Sequence, residues 1–405
     1  MLVTLIPFFD ENMAVRSYSI FTQKNNFLLN PLMLGTAYND AAARIDGLEF
    51  IDKMGIDTLS DNKEVFVTVT NTSIFMDIDS ECHVAKERIV LLIDNTIPPV
   101  DMYINRIREL CNKGYKFAIR KLHVTEFEQY RAILGMMKYV ILNSKKIAID
   151  IASKYFQKLF PKITLCAGNI DTMEQFEKIK KYGVCSLYEG EFYRLPVTKG
   201  DTEIVPLKAN YIQLLNMVNS GDFDLTDAAD IISKDTALTM LLLKMANTRA
   251  RNSEITSIRH AVAMLGQRDL KVWINTAIIN VICADKPNEI MRLSLIRAKF
   301  AENLAGVFEL SLKAEELFIM GLFSIMDVVM EKSMAEVLKE IRISKDVADA
   351  LIDKKGNLAP VMDFILKYET ADWSDVSRQM ILHKIDVMQV HDAYMNALVW
   401  YKEII

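Results

Sequence analysis

Two adjacent cations, Arg120 and Lys121, directly follow the short apolar run Lys116–Ile119. A helical pattern that ends at Gly114 precedes this run, so the cations lie where a strand of an α/β protein would end. In α/β barrels that end of the strand carries the active site. A guanidinium and an ammonium there can hold a phosphate without a metal, because both donate hydrogen bonds to anionic oxygens. The same pair opposes a divalent cation, which needs oxygen ligands from acids and amides.

The elements that would position these cations alternate regularly over residues 1 to about 200. Short β-rich runs begin at Val65, Ile89, Lys116, Tyr139, Ile163 and Val184. From Ile89 onward their starts are roughly 21 to 27 residues apart, which leaves room for a crossover helix between parallel strands. Helical patterns from Asp101 to Gly114 and from Asp171 to Gly183 fill two of these intervals, with Asp171 as the predicted N-cap. The repeated units predict a parallel sheet or an α/β barrel.

The second half of the chain has a different pattern. A charged stretch with Pro and Gly at about 194–208 is the predicted linker. After it, apolar residues recur at helical spacing, and Gly266 is predicted to stop a short helix. We therefore predict two domains, an α/β domain over 1–200 and an all-α domain over 201–405.

Composition excludes several classes of protein. The chain has 405 residues, a net charge of -5, 51% hydrophobic and 25% charged residues, and five cysteines without a CxxC pair. The charge does not favour nucleic-acid binding, and the cysteines predict reduced thiols. The apolar runs are too short to span a bilayer. We expect a cytoplasmic protein with neither a membrane nor a nucleic acid as partner.

The helical half resembles the HDOD domain, an all-helical relative of the HD phosphohydrolases that lacks their metal site. Its typical run of conserved residue types is matched in register by Ile232, Ser233, Asp235, Leu238, Asn247, Ile255, Ser257, Ile258, Ala261, Leu265 and Gly266, with Thr248 in place of the usual Ser. The resemblance implies a protein-interaction module. The dipeptide His391-Asp392 lies too near the C-terminus to serve as an HD metal motif, and we interpret it as a coincidence on a terminal helix.

The first half resembles the EAL domain, a barrel phosphodiesterase fold for cyclic di-GMP, and the domain order is that of EAL-HDOD signalling proteins. The resemblance implies that metal, catalytic and substrate positions of that family fall on Ser19, Gln23, Thr68, Leu92, Arg120, Lys121, Ile141, Asn143, Gly168 and Glu189. The side chains of Leu92, Ile141 and Gly168 cannot ligate a metal, and Arg120 and Lys121 are cations that oppose one. We therefore predict a catalytically inactive pseudo-phosphodiesterase that is not an enzyme and has no metal or cofactor.

Two interpretations of the cationic pair stay open at this point. In one, Arg120 and Lys121 pair with nearby acids such as Glu126 and Glu128, or are solvated, and the barrel is a scaffold. In the other, they contact an anion, and the barrel is a metal-independent receptor for cyclic di-GMP or a related nucleotide. We favour the scaffold, with an unidentified protein partner and a homodimer through the barrel as one arrangement. Gln23 is an observation against a nucleotide receptor, because the EAL family has a phosphate-binding Arg at this position.

Overall fold

A computed structural model describes residues 1–23, 45–195, 206–220, 223–249, 255–284, 286–341 and 343–404. Most of the predicted linker at 194–208 lies outside these residues. The chain divides into two compact units. The first comprises Met1–Leu195, Asn303–Ser311 and Asp363–Ile405, and the second comprises Pro196–Glu302 and Leu312–Met362. These units show which segments pack together, and the division into domains at 1–200 and 201–405 stays a prediction.

Eight strands close into a barrel in chain order. They are β1 Leu2–Phe9, β2 Val15–Gln23, β3 Glu64–Thr68, β4 Ile89–Ile93, β5 Lys116–Ile119, β6 Tyr139–Asn143, β7 Thr164–Ile170 and β8 Leu187–Gly190. Strand β1 is antiparallel to β2 and to β8, and the other neighbouring strands are parallel. The predicted α/β barrel is confirmed, and six of its strands match the predicted runs. Strands β1 and β2 were not predicted as a pair.

Short helices connect the strands on the outside of the barrel. They are α1 Asp46–Met54, α2 Ile56–Ser60, α3 Ile78–Glu81, α4 Asp101–Asn112, α5 Arg131–Leu134, α6 Ile149–Leu159 and α7 Met173–Lys180. Gly114 and Gly183, which follow α4 and α7, have φ of 96° and 64°. Glycine adopts this left-handed conformation without steric cost, which explains why both helices end there. The predicted N-cap of α7 is wrong by one residue, because the Thr172 hydroxyl accepts the Gln175 amide hydrogen.

The barrel interior is filled by side chains from seven of the strands. They are Phe8, Phe66, Val90, Leu92, Ala118, Tyr139, Ile141, Cys166 and Leu187, all buried. The rings of Phe8 and Phe66 stack with centroids 4.9 Å apart. Because successive side chains alternate across a strand, the residues two positions farther along reach the carboxyl end of the barrel. We call the carboxyl end of the barrel the barrel mouth. The interior core supports the residues that lie there.

The rest of the described chain is helical. Its helices are α8 Pro206–Val218, α9 Leu225–Ile232, α10 Thr236–Arg249, α11 Ile258–Ile282, α12 Asn288–Leu304, α13 Ala314–Phe323, α14 Met326–Met330, α15 Met334–Glu340, α16 Lys345–Ala348, α17 Ala359–Glu369, α18 Trp373–Leu382 and α19 Val387–Ile404. The prediction of an all-α second half is confirmed. None of the helices in the described residues is long and apolar enough to cross a membrane.

The polar residues that match the HDOD pattern form hydrogen bonds with the backbone at the ends of the helices. Asp235 accepts the Leu238 amide hydrogen at the start of α10, and Ser257 caps α11 by accepting from the His260 amide. Asn247 donates to the Ile255 carbonyl and accepts the Ile255 amide hydrogen. Gly266 has φ of 72° and ψ of 173°, which is not helical, so a first short helix within α11 ends there, as predicted, and a second follows after a kink. The structure thus gives these motif positions structural roles.

The three C-terminal helices contribute to the first compact unit. The Val3 amide donates to the buried Tyr368 hydroxyl at 3.1 Å, which ties α17 to β1. Arg194, after β8, forms an ion pair with Glu369 at 2.9 Å. Lys402 of α19 bonds Asp61 at 2.9 Å. The end of the chain therefore packs against the barrel.

Candidate functional site

A buried ion pair crosses the barrel mouth. Arg120 follows β5 directly, and Glu189 lies in β8, three strands away around the barrel. Arg120 Nη2 lies 3.7 Å from Glu189 Oε1, and the two side chains are 15% and 7% exposed. This separation is an ion pair but exceeds hydrogen-bond distance. Both groups therefore keep hydrogen-bonding capacity toward a third group.

The guanidinium of Arg120 is held in place by an aromatic ring. Its central carbon lies 5.1 Å from the centroid of the Phe21 ring, within the range of a cation–π contact. Its Nη1 atom is buried and has no hydrogen-bond partner within the described chain. A buried N–H donor without an acceptor costs about 1–3 kcal/mol. This donor is therefore the strongest local indication that the mouth accepts a ligand oxygen.

Glu189 is a carboxyl group in an unfavourable environment. Burial raises its pKa above the ordinary value, and the attraction of Arg120 only partly offsets that effect. Its Oε2 atom has no hydrogen-bond partner in the residues that are described. A Cβ atom at Gly168 would lie 3.3 Å from this oxygen and 2.9 Å from Ile141 Cγ2. Glycine at position 168 thus leaves the space that the Glu189 carboxyl group uses.

Lys121 faces a different acid from Arg120. Its Nζ lies 2.7 Å from Asp94 Oδ2, at the end of β4, and its side chain is 63% exposed. Burial opposes ionisation of Asp94, but hydrogen bonds from Lys121 and Thr96 outweigh it, and the pKa of Asp94 is lowered. The expected pairing with acids is therefore found, but the expected acids were wrong.

Glu126 and Glu128 are engaged elsewhere. Glu126 accepts the His123 amide hydrogen at 2.6 Å, and Glu128 forms an ion pair with Arg131 at 3.6 Å. The acids that do meet the cations come from β4 and β8, because closure of the barrel brings strand ends together that are distant in sequence.

The other candidate positions do not join the ion pair. Leu92 and Ile141 pack in the barrel interior, and Ser19 is fully buried in β2. Gln23 donates from Nε2 to the Ser377 hydroxyl of α18 at 2.9 Å. Thr68 is exposed at the end of β3. The Asn143 side chain accepts the Lys145 amide hydrogen at 3.0 Å.

The residues described at this mouth do not fit a divalent-metal site. No group of three or more His, Cys, Asp or Glu side chains that could hold a metal ion exists in the described segments. The two carboxylates at the mouth, Asp94 and Glu189, each face a cation. Arg120 and Lys121 would each repel a dication placed beside them, by about 4 kcal/mol per unit charge at about 4 Å and an effective dielectric constant near 20.

Two residues of the mouth escaped the sequence reasoning. Asp94 comes directly after β4, so its position at a strand end was a usable signal. Phe21 lies in β2, and nothing local to it indicates that its ring would meet a guanidinium from β5.

The chain is similar to several known proteins. Residues 204–353 match the HDOD domain family. Cyclic di-GMP phosphodiesterase CdgJ of Vibrio cholerae is 25% identical over 325 residues, which cover 79% of this chain and 74% of that protein. Protein YuxH of Bacillus subtilis is 24% identical over 357 residues, 86% of each chain. The EAL domain of Mycobacterium smegmatis DcpA superposes with a TM-score of 0.34 at 15% identity, over 47% of this chain and 89% of that one.

One prediction is overturned by these similarities. We predicted from the sequence that the chain is not an enzyme, yet a relative that matches most of its length is named for an enzymatic activity. We had equated the replacement of family residues at ten assigned metal, catalytic and substrate positions with the loss of activity. That reasoning left out Asp94, and it treated Glu189 as vestigial although the structure places its carboxyl group at the barrel mouth.

The domain organisation follows from the barrel and the matched helical region together. A closed eight-stranded barrel precedes residues that match the HDOD domain family, and both relatives align across most of the chain. The chain therefore combines a closed barrel with a helical region that contains an HDOD domain, in the order predicted from the resemblance to EAL-HDOD proteins.

Proposed function

We propose that this chain acts in cyclic di-GMP signalling and that its barrel mouth recognises the cyclic dinucleotide. We infer the identity of the ligand from the name of the Vibrio cholerae relative. The geometry supports recognition through the phosphodiester groups, which are anions with several acceptor oxygens. We propose that the HDOD domain provides contacts to a protein partner.

The observation that carries the proposal is the buried Nη1 donor of Arg120. A guanidinium is always charged, and its N–H groups match the oxygens of a phosphate. Phe21 orients the group from one side, and the neighbouring Glu189 leaves it without a full hydrogen bond. A ligand phosphate that approaches Arg120 would supply the missing acceptor after a small rotation of the side chain.

Lys121 gives a matched comparison for Arg120. It is a cation next in sequence, but it is more exposed and already bonded to Asp94 at 2.7 Å. We therefore assign most of the anion recognition to Arg120.

Calorimetric titration of cyclic di-GMP into the wild type and three variants tests this function. We expect Arg120→Gln to lower the affinity roughly ten- to hundredfold, the effect of losing a charged hydrogen bond worth about 1.5–3 kcal/mol. Lys121→Gln is expected to change affinity less than about threefold. Arg120→Lys, which keeps the charge but not the forked geometry, should fall between them. Equal losses in the Gln variants at positions 120 and 121 would contradict the assignment.

The interaction role of the HDOD domain has separate support. Met240, Leu241 and Met264, all within the matched residues, are 68%, 41% and 40% exposed. Exposed methionine and leucine side chains are typical of adaptable protein-binding surfaces. The identity of the partner and the arrangement of a homodimer stay predictions, for which affinity capture and analytical ultracentrifugation are the direct measurements.

A further inference from the structure

A cavity lies at the amino-terminal end of the barrel, opposite the mouth. Its volume is about 550 Å³, within the range of small-molecule sites. The walls come from the turn between β1 and β2 and from the first residues of several strands, and they include Asp10, Glu11, Arg16, Ser17, Glu64 and Cys185. None of these residues belongs to the mouth described above, so the cavity is independent of the proposed function.

The wall contains a buried hydroxyl group that lacks a partner. Ser17 is 2% exposed, and its Oγ has no hydrogen-bond partner in the part of the chain that the structure describes. Burying an unsatisfied polar group costs about 1–3 kcal/mol. Because Ser17 belongs to the cavity wall, a hydrogen bond to a molecule in the cavity would remove this cost.

The charged groups of the wall are predominantly acidic. Asp10, Glu11 and Glu64 carry carboxylates, and Arg16 is the one cation among the described lining residues. Arg16 is already paired, because its Nη2 lies 2.7 Å from Asp10 Oδ2. Burial opposes ionisation of Asp10, but the amides of Ala14 and Asn12 and the Arg16 guanidinium outweigh it and keep the pKa of Asp10 low. Asp10 is therefore a carboxylate at neutral pH.

Glu64 is fixed at the inner end of the cavity by two donors. Lys116 Nζ lies 2.5 Å from Glu64 Oε1, and the Tyr139 hydroxyl donates to Glu64 Oε2 at 2.5 Å. Burial, the bond to Glu64 and its negative charge raise the pKa of Tyr139, so the phenol stays a neutral donor. The three carboxylates of the described lining thus meet two cations, Arg16 and Lys116, which leaves a net charge of −1.

We propose that this cavity binds a small organic cation with a primary amine, held by the acidic wall and by the Ser17 hydroxyl. An ammonium group has three donors and no acceptor, which suits a wall of carboxylate and hydroxyl oxygens. A phosphate or carboxylate ligand is disfavoured, because Arg16 and Lys116 are both bonded to acids and Glu11 would repel it.

Putrescine is the probe for this proposal, with 1,4-butanediol and succinate as neutral and anionic controls of similar length. We expect saturable binding of putrescine to the intact chain by calorimetry, weaker or undetectable binding of butanediol, and none of succinate. Preferential binding of succinate, or no binding of putrescine at millimolar concentration, would overturn the proposal.

Two serines of the same strand provide the matched variants. Ser17 and Ser19 are both buried in β2 and both have an Oγ without a partner in the described chain, but only Ser17 belongs to the described cavity wall. Ser17→Ala should weaken putrescine binding at least about threefold, and Ser19→Ala should leave it unchanged. Glu11→Gln, on the exposed turn, should also weaken it. Equal effects of the two serine variants would show that the hydroxyl does not contact the ligand.

Discussion

At the scale of single residues, the barrel mouth combines two charged groups that attract each other without a hydrogen bond. The Arg120–Glu189 separation of 3.7 Å places them beyond hydrogen-bond reach, and Gly168 keeps space for the carboxyl group beside Ile141. An anion at this mouth would compete with Glu189 for the guanidinium. The protonation state of Glu189 should therefore control how strongly the mouth holds an anion.

The pH dependence of cyclic di-GMP binding tests this competition. Burial raises the pKa of Glu189 above its ordinary value of 4.5. As the pH falls through the raised pKa, the carboxylate becomes neutral and stops competing for Arg120, so affinity should increase toward acidic pH. Glu189→Gln should bind more tightly than the wild type at neutral pH and should lose most of this dependence. A pH profile that is the same in both proteins would contradict the role of Glu189.

Substitution of Gly168 tests the space around the carboxyl group. A Cβ 2.9 Å from Ile141 Cγ2 is too close, so Gly168→Ala should destabilise the protein by about 1–3 kcal/mol. Gly135 is the control, because a Cβ there meets its nearest atoms at 3.7 Å, an ordinary contact. Urea unfolding followed by circular dichroism should show a lower midpoint for Gly168→Ala only. Unchanged stability would mean that the mouth adapts to the added methyl group.

Among the helices, the residues that match the HDOD pattern either cap a helix or bond the backbone of a neighbouring segment. Asn247, near the end of α10, bonds both backbone groups of Ile255, which stands shortly before α11. One side chain thereby fixes the connection between two packed helices. The recurrence of Asp, Asn and Ser in such a motif is explained by these backbone bonds without any chemistry on a substrate.

Asn247→Ala is expected to destabilise the helical unit by about 2–4 kcal/mol, because it leaves two backbone groups of Ile255 without their bonds. Thr248→Ala is the matched control. Thr248 is exposed, and its hydroxyl donates to the Met245 carbonyl within the same helix. The control should change stability by less than about 0.5 kcal/mol. Similar midpoints for the two variants in urea unfolding would refute the clamp.

The sequence predicted most elements and few of the contacts between them. Strands β3 to β8 were visible because each is a short apolar run bounded by turn residues at βα spacing. The β1–β2 pair was missed because a short turn, and not a crossover helix, joins these antiparallel strands, so they do not follow the βα spacing. The partner of Arg120 was not predictable, because Glu189 meets it through barrel closure and no local pattern encodes that distance.

At the scale of the whole molecule, the end of the chain is part of the barrel unit. Segment Asp363–Ile405 packs with Met1–Leu195, although it lies beyond the residues that match the HDOD domain. Tyr368 is fully buried and accepts the Val3 amide hydrogen of β1. Stability of the barrel should therefore depend on residues near the C-terminus.

Tyr368→Phe isolates this dependence. The change keeps the ring and removes the acceptor for the Val3 amide, so it should cost about 1–3 kcal/mol. Tyr182→Phe removes a hydroxyl from a residue that is 38% exposed and should be nearly neutral. Hydrogen exchange at the Val3 amide should accelerate in the first variant and stay slow in the second. An unchanged exchange rate in Tyr368→Phe would show that this bond does not hold β1.

Direct titration of the intact chain with cyclic di-GMP tests the central claim, that the barrel mouth recognises this ligand through Arg120. We expect saturable heat of binding in the wild type at neutral pH, with one dinucleotide per barrel, and loss of that heat in Arg120→Gln protein that is otherwise folded. Absence of binding by the wild type at millimolar dinucleotide, or undiminished binding by the folded variant, would contradict it.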